Sequence, residues 1–144
     1  MTSAETPPAR PATSGPGRTL VVFYFIMTIA ALARSVFQMS IAFAAAPVAI
    51  LLSFVAGVIY LVATIALIRR GRRAYVTAFA AITFELVGVL VVGTLSVFLP
   101  EVFPFEYAVW AYYGIGYLFI PLVLPVLGLL FLRSQRHVFA GAVR

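Results

Sequence analysis

The sequence predicts an all-α polytopic membrane protein, a bundle of four transmembrane helices with a disordered N-terminal tail. The first observation behind this prediction is composition. Of 144 residues, 64% are apolar and only 10% are charged, against about 25% charged residues in a typical soluble domain. The mean hydropathy of +1.12 agrees. A water-soluble fold of this size cannot bury so many apolar side chains, so a soluble globular domain is excluded.

The second observation is the arrangement of the apolar residues in long uninterrupted segments. Residues 1–18 are rich in proline and are expected to form a disordered cytoplasmic tail, whereas 19–133 form the transmembrane domain and 134–144 a short basic cytoplasmic tail. The helices are expected at about residues 20–40, 47–68, 75–98 and 109–132. Each segment has the roughly 20 residues needed to cross about 30 Å of hydrocarbon. None has the alternation over about ten residues that is typical of barrel strands.

The third observation is the placement of arginine. Four spans put nine of the ten basic residues on one side of the membrane, and the other side carries only Glu101 and Glu106. The nine are Arg10, Arg18, Arg69, Arg70, Arg72, Arg73, Arg133, Arg136 and Arg144. Short basic loops remain in the cytoplasm. The pattern therefore predicts a protein of the bacterial plasma membrane with both termini in the cytoplasm. The use of arginine without lysine is typical of a GC-rich bacterial genome.

The basic loop between the second and third helices has a simple interpretation. Arg69, Arg70, Arg72 and Arg73 are expected to set the topology and to contact anionic lipid headgroups, with a specific protein or lipid partner as the alternative. Nucleic acid is not expected as a partner, because the basic residues flank apolar segments.

Catalytic and metal-binding patterns are not found in the sequence. The chain has no cysteine and one histidine, His137, which excludes thiol chemistry, cysteine-ligated metals and histidine clusters. No catalytic triad or phosphate-binding glycine loop occurs. We therefore expect no enzymatic activity, no cofactor and no metal.

Two charged residues interrupt the apolar segments, Arg34 in the first and Glu85 in the third. A charge at this depth costs roughly 2.5–3.5 kcal/mol and normally finds a partner inside the bundle. At about 1.5 Å per residue the two lie roughly 21 and 15 Å above the starts of their helices. That offset is within side-chain reach, so an Arg34–Glu85 ion pair is predicted, with Gln38 extending the polar stripe by one turn.

Three interpretations of these residues stay open. Glu85 is a proton- or cation-binding carboxylate in a transport path, or the pair only fixes the helix register. In the third, Arg34 extends toward Glu101 or Glu106 at the membrane surface.

Small residues and prolines mark further positions. Ala49, Ser53 and Gly57 form a small-residue face on the second helix, used in the bundle or in a dimer, and Gly88 lies on the Glu85 stripe. Gly114, Pro121, Pro125 and Gly128 share a face of the fourth helix. They predict either a hinge with freed carbonyls or a kinked packing helix. Tyr107, Trp110, Tyr112 and Tyr113 are expected in an aromatic belt at the membrane surface.

Three stretches of the chain resemble a group of small actinobacterial four-helix integral membrane proteins of uncharacterised activity. They are ALARSVFQ (Ala31–Gln38), ELVGVLVVGTLS (Glu85–Ser96) and GIGYLFIPLVLPVLGLL (Gly114–Leu130). The resemblance covers residues 19–132 and implies a membrane location and four spans. It transfers no functional residues.

These expectations favour a non-enzymatic accessory, assembly or structural membrane protein. The alternative is a small transporter or channel subunit that uses Arg34, Glu85 and the proline-broken fourth helix. The sequence leaves open whether the protein acts alone, as a homo-oligomer or in a larger membrane complex.

Overall fold

The computed structural model describes residues 15–141 and the side chains of residues 15–137. Within that range the fold is all-α, with four α-helices and one 3-10 helix. The helices are α1 (Pro16–Ala42), α2 (Pro47–Ile68), α3 (Arg72–Phe98), the 3-10 helix (Ala111–Tyr117) and α4 (Ile120–Gly141). The predicted tail of residues 1–18 lies largely outside the described residues, and α1 already begins at Pro16.

Proline and glycine define the helix starts. Pro16 and Pro47 occupy the first turns of α1 and α2, where a missing N–H costs no hydrogen bond. Gly71 precedes α3 with φ 103°, a conformation that glycine adopts more easily than other residues. The links between these helices, residues 43–46 and 69–71, are short, so α1 packs antiparallel to α2 and α2 packs antiparallel to α3.

The distribution of side chains is that of a multi-pass membrane protein. Large apolar residues lie on the outside of the bundle, including Phe25, Phe37 and Phe98, which are 54%, 62% and 74% exposed. Polar residues are inside it, as Ser35 and Glu85 illustrate. Three helices, α1, α2 and α3, are long and apolar enough to cross a membrane, and a fourth span exists if the 3-10 helix and α4 are counted together.

The expected continuous helix over 109–132 is wrong. The chain forms a 3-10 helix and then turns by 97° into α4, which begins only at Ile120. Leu118 and Phe119 at the turn have left-handed φ values of 55° and 59°. The break therefore precedes Pro121, which lies in the first turn of α4, where proline is tolerated. Pro125 is inside α4.

Helix packing follows chain order. α1 packs mainly on α2, α2 also packs on α3, and α3 contacts both α4 and the 3-10 helix. Gly57 allows the close approach of α1, since a β-carbon there would stand 2.7 Å from Leu32. One end of the bundle carries Arg18, the loop 69–73 and Arg133; we call it the arginine end. The opposite end, where α1 and α3 finish, is the arginine-free end.

Candidate functional site

Arg34 binds the chain segment that connects α3 to α4. Its guanidinium donates hydrogen bonds to the main-chain carbonyl of Glu106 and, over 3.3 Å, to the Tyr117 hydroxyl. It also lies 5.7 Å from the centre of the Tyr117 ring, within the range of a cation–π contact. The Arg34 side chain therefore extends toward Glu106, as one of the three interpretations predicted, but it binds the main-chain carbonyl of Glu106 and not the carboxylate.

The predicted Arg34–Glu85 ion pair is not formed. Glu85 Oε2 accepts a hydrogen bond from the Tyr24 hydroxyl at 2.8 Å, and Oε1 has no hydrogen-bond partner. Gln38 donates to the same Glu106 carbonyl as Arg34, at 2.8 Å, and it lies one helical turn nearer the arginine-free end. The guanidinium of Arg34 therefore extends away from Glu85, toward the arginine-free end. For this reason the ion pair does not form, although the two residues lie at similar heights along their helices.

Residues 99–119, which we call the connecting segment, fold back against the bundle and rely on its polar side chains. The Ser53 hydroxyl donates to the Tyr107 carbonyl at 2.8 Å and accepts from the Val109 N–H at 2.9 Å. The Ser96 hydroxyl accepts from the Tyr112 N–H at 2.7 Å. Irregular backbone packed against apolar helices needs such partners, because apolar side chains offer none.

Four side chains form a buried cluster between α1, α2, α3 and the connecting segment. Tyr24, Tyr60 and Glu85 are fully buried and Trp110 is 3% exposed. The Trp110 indole N–H donates to the Tyr60 hydroxyl at 2.9 Å, and the rings of Tyr24 and Tyr60 lie 6.2 Å apart. We call Tyr24, Tyr60, Glu85 and Trp110 the aromatic–carboxyl cluster.

Glycine at position 88 makes room for this cluster. A β-carbon on Gly88 would stand 2.6 Å from the Trp110 ring, closer than atoms can approach without a shift. Gly88 lies ten residues before the end of α3 at Phe98, roughly 15 Å into the bundle. The expectation of an aromatic belt is therefore wrong for Trp110, whose N–H needs a partner in the interior and finds one in Tyr60.

The remaining sequence-predicted residues lie at separate places. Gly114 has φ 81° in the 3-10 helix and lies against Pro121, whereas Gly128 faces Ile82 of α3 and Tyr24 of α1. These positions therefore do not form one helix face. The four arginines at 69, 70, 72 and 73 are exposed at the arginine end, away from the polar interior.

The sequence interpretation missed Tyr24 and Tyr60 as partners of the buried carboxyl group. A signal was available, because a tyrosine in the middle of a transmembrane segment needs a partner for its hydroxyl. Both residues lie well inside long apolar segments. The pairing itself depends on the arrangement of helices, which one sequence does not give.

Chemically, the interior offers one carboxyl group, phenols, hydroxyls and an indole. No group of three or more histidine and acidic side chains capable of holding a metal ion occurs among residues 15–141. No protein-family model, curated protein or solved structure is significantly similar to this chain.

Proposed function

We propose that the protein is a non-enzymatic structural or accessory component of a bacterial plasma membrane, related to the small actinobacterial proteins that it resembles. One observation carries this proposal: four polar side chains of the helices bind the chain segment between α3 and α4. Arg34, Gln38, Ser53 and Ser96 all contact backbone groups of the connecting segment. Polar groups engaged in this way support a role in stabilising the fold rather than in lining a transport path.

The proposed topology has four spans, with both termini in the cytoplasm. In α4, the apolar part from Ile120 to Leu132 measures roughly 20 Å at about 1.5 Å per residue, shorter than the ~30 Å hydrocarbon core. The connecting segment would complete the crossing. Reporter tags at the two ends should both be cytoplasmic, because positive loops remain inside. Tags found on opposite sides would contradict four spans.

The second candidate function is that of a small proton or cation transporter, and one observation favours it. Glu85 is fully buried and its Oε1 has no hydrogen-bond partner. Ionisable residues inside a membrane often mark ion pathways. The break before α4 would then provide the movement needed to open a route, although Arg34 is engaged elsewhere.

Flux measurements separate the two functions. Purified protein in proteoliposomes is subjected to a pH gradient or a sodium gradient, and internal pH or sodium is followed with a dye. The structural role predicts leakage equal to that of empty liposomes. A flux that Glu85→Gln abolishes, but that Glu101→Gln in the exposed loop preserves, would overturn the structural role and establish the transporter.

A second experiment tests the structural role directly. Ser53→Ala leaves the Tyr107 carbonyl and the Val109 N–H without their side-chain partner, at about 1–3 kcal/mol for each buried group. We expect less folded protein in the membrane fraction. Ser40→Ala is the matched control, because the Ser40 hydroxyl is exposed and bonds only within α1. Equal abundance of the two variants would contradict the role of Ser53.

A further inference from the structure

A groove of about 670 Å³ lies between α1 and α4 in the half of the bundle toward the arginine end. It exists because α1 packs mainly on α2 and α4 mainly on α3. Leu20 and Leu124, both nearly buried, belong to its floor, and Phe23, Leu127 and Leu130 to its exposed sides. Its size is typical of a ligand-binding pocket.

The two ends of the groove differ in polarity. Toward the middle of the membrane it reaches Ile120, whereas at the arginine end it is lined by Thr19, Ser134 and Gln135. A smaller depression of about 330 Å³ shares Thr19 and is lined by Arg18. Arg133 is exposed and directly precedes Ser134. The groove is therefore apolar along its length and carries hydroxyl and amide groups at one end, and Arg18 and Arg133 adjoin that end in the sequence without lining the groove.

We propose that this groove binds an anionic phospholipid, with one acyl chain along Leu20, Leu124 and Leu127 and the phosphate at Arg18 and Arg133. An acyl chain matches the apolar walls, and a phosphate matches the donors at the end of the groove. The site is distinct from the polar interior and from the exposed loop at residues 69–73.

Charge favours a lipid over a second copy of the chain in this groove. A second copy packed alongside in the same membrane orientation would bring its own Arg18 and Arg133 to the same membrane depth, where like charges repel. An anionic headgroup brings the opposite charge, and basic residues at a membrane surface attract such lipids.

The test is native mass spectrometry of the full chain in neutral detergent, titrated with palmitoyl-oleoyl phosphatidylglycerol or phosphatidylcholine. We expect one phosphatidylglycerol to bind at least tenfold more tightly than phosphatidylcholine. The double variant Arg18→Gln/Arg133→Gln should lose this preference. Arg72→Gln/Arg73→Gln makes the same charge change at the same end but away from the groove, in the loop expected to contact anionic headgroups, and should reduce the preference much less.

A second pair of variants tests the acyl-chain position. Leu127→Trp fills the groove and should prevent binding of the lipid, whereas Leu90→Trp on the exposed face of α3 should not. Leu127 and Leu90 are similarly exposed, at 49% and 45%, so both variants place tryptophan at a lipid-facing site. Equal binding of the two lipids, or undiminished binding by Leu127→Trp, would overturn the proposal. A dimer that dissociates as phosphatidylglycerol is added would also overturn it, since a second copy would then be the occupant.

Discussion

The surroundings of Arg34 and Glu85 show two different ways to keep a charged residue type inside a membrane protein. Arg34 is half-buried near the arginine-free end and contacts a carbonyl, a hydroxyl and an aromatic ring of the connecting segment. Glu85 is fully buried and contacts one phenol of α1. The first arrangement holds irregular backbone in place, and the second joins regular helices. The opposite charges of α1 and α3 therefore need not pair when each finds polar groups nearer to it.

The largest expected effect concerns the Glu85 region. Gly88→Val places side-chain atoms where the Trp110 ring lies, and overpacking of this kind costs about 3 kcal/mol. The free energy of unfolding in detergent, followed by circular dichroism, should fall by that amount. The Trp110 fluorescence should shift to longer wavelength as the indole becomes exposed.

The control for this variant is Val87→Ile on the adjacent, 54% exposed position, which should change neither quantity. If Gly88→Val has the unfolding free energy and the fluorescence spectrum of the wild type, Trp110 does not pack against Gly88.

The next effect concerns the Arg34 region. Arg34→Met removes the charged donor to the Glu106 carbonyl, and hydrogen bonds to charged groups contribute about 2 kcal/mol. Hydrogen–deuterium exchange should become faster in peptides covering the connecting segment and stay unchanged in α2. Arg73→Met, at an exposed position, should leave both unchanged. Faster exchange throughout the protein would mean that Arg34 does not act on the connecting segment specifically.

A smaller effect is expected from Tyr24→Phe. This variant removes the donor to Glu85 Oε2, leaving a buried acceptor without a partner at about 1.5 kcal/mol. Chemical unfolding should show the loss. Tyr113→Phe is the matched control, since the Tyr113 hydroxyl bonds Thr94 in an exposed position and should cost much less. Equal losses would show that burial of the phenol does not matter.

The smallest expected effect is the interaction free energy between Arg34 and Glu85. Because Arg34 and Glu85 do not form an ion pair, the effects of Arg34→Met and Glu85→Gln on the unfolding free energy should add to within about 0.5 kcal/mol. A double-mutant cycle measures this coupling. A coupling well above that value would restore the ion pair predicted from the sequence.

The spanning helices could be predicted from the sequence because hydropathy and length alone determine them. The segments expected at 47–68 and 75–98 lie within α2 and α3. The connecting segment could not be predicted in this way, because Tyr107, Trp110 and Tyr112 have the local composition of a membrane surface. Their place in the bundle depends on Ser53, Tyr60 and Ser96 of other helices, and such distant pairings have no signature within a single window of sequence.

The site was partly predictable for the same reason. The cost of burying charge identified Glu85 as an interior residue, whereas Arg34 is only half-buried, and small-residue spacing identified Gly57 and Gly88. The hydrogen-bond partners of Arg34 and Glu85 could not be identified from the positions of the two residues along the helix axes. The direction in which the Arg34 side chain extends depends on the Glu106 carbonyl, which a straight fourth helix would not have offered.

The dependence of the connecting segment on three helices has a consequence for biogenesis. The carbonyls of Glu106 and Tyr107 and the N–H of Tyr112 are bonded by side chains of α1, α2 and α3, and backbone groups without a hydrogen-bond partner are not tolerated in lipid. During synthesis this stretch must therefore wait at the bilayer surface until the earlier helices have inserted and associated. We therefore expect its docking to follow the association of α1, α2 and α3.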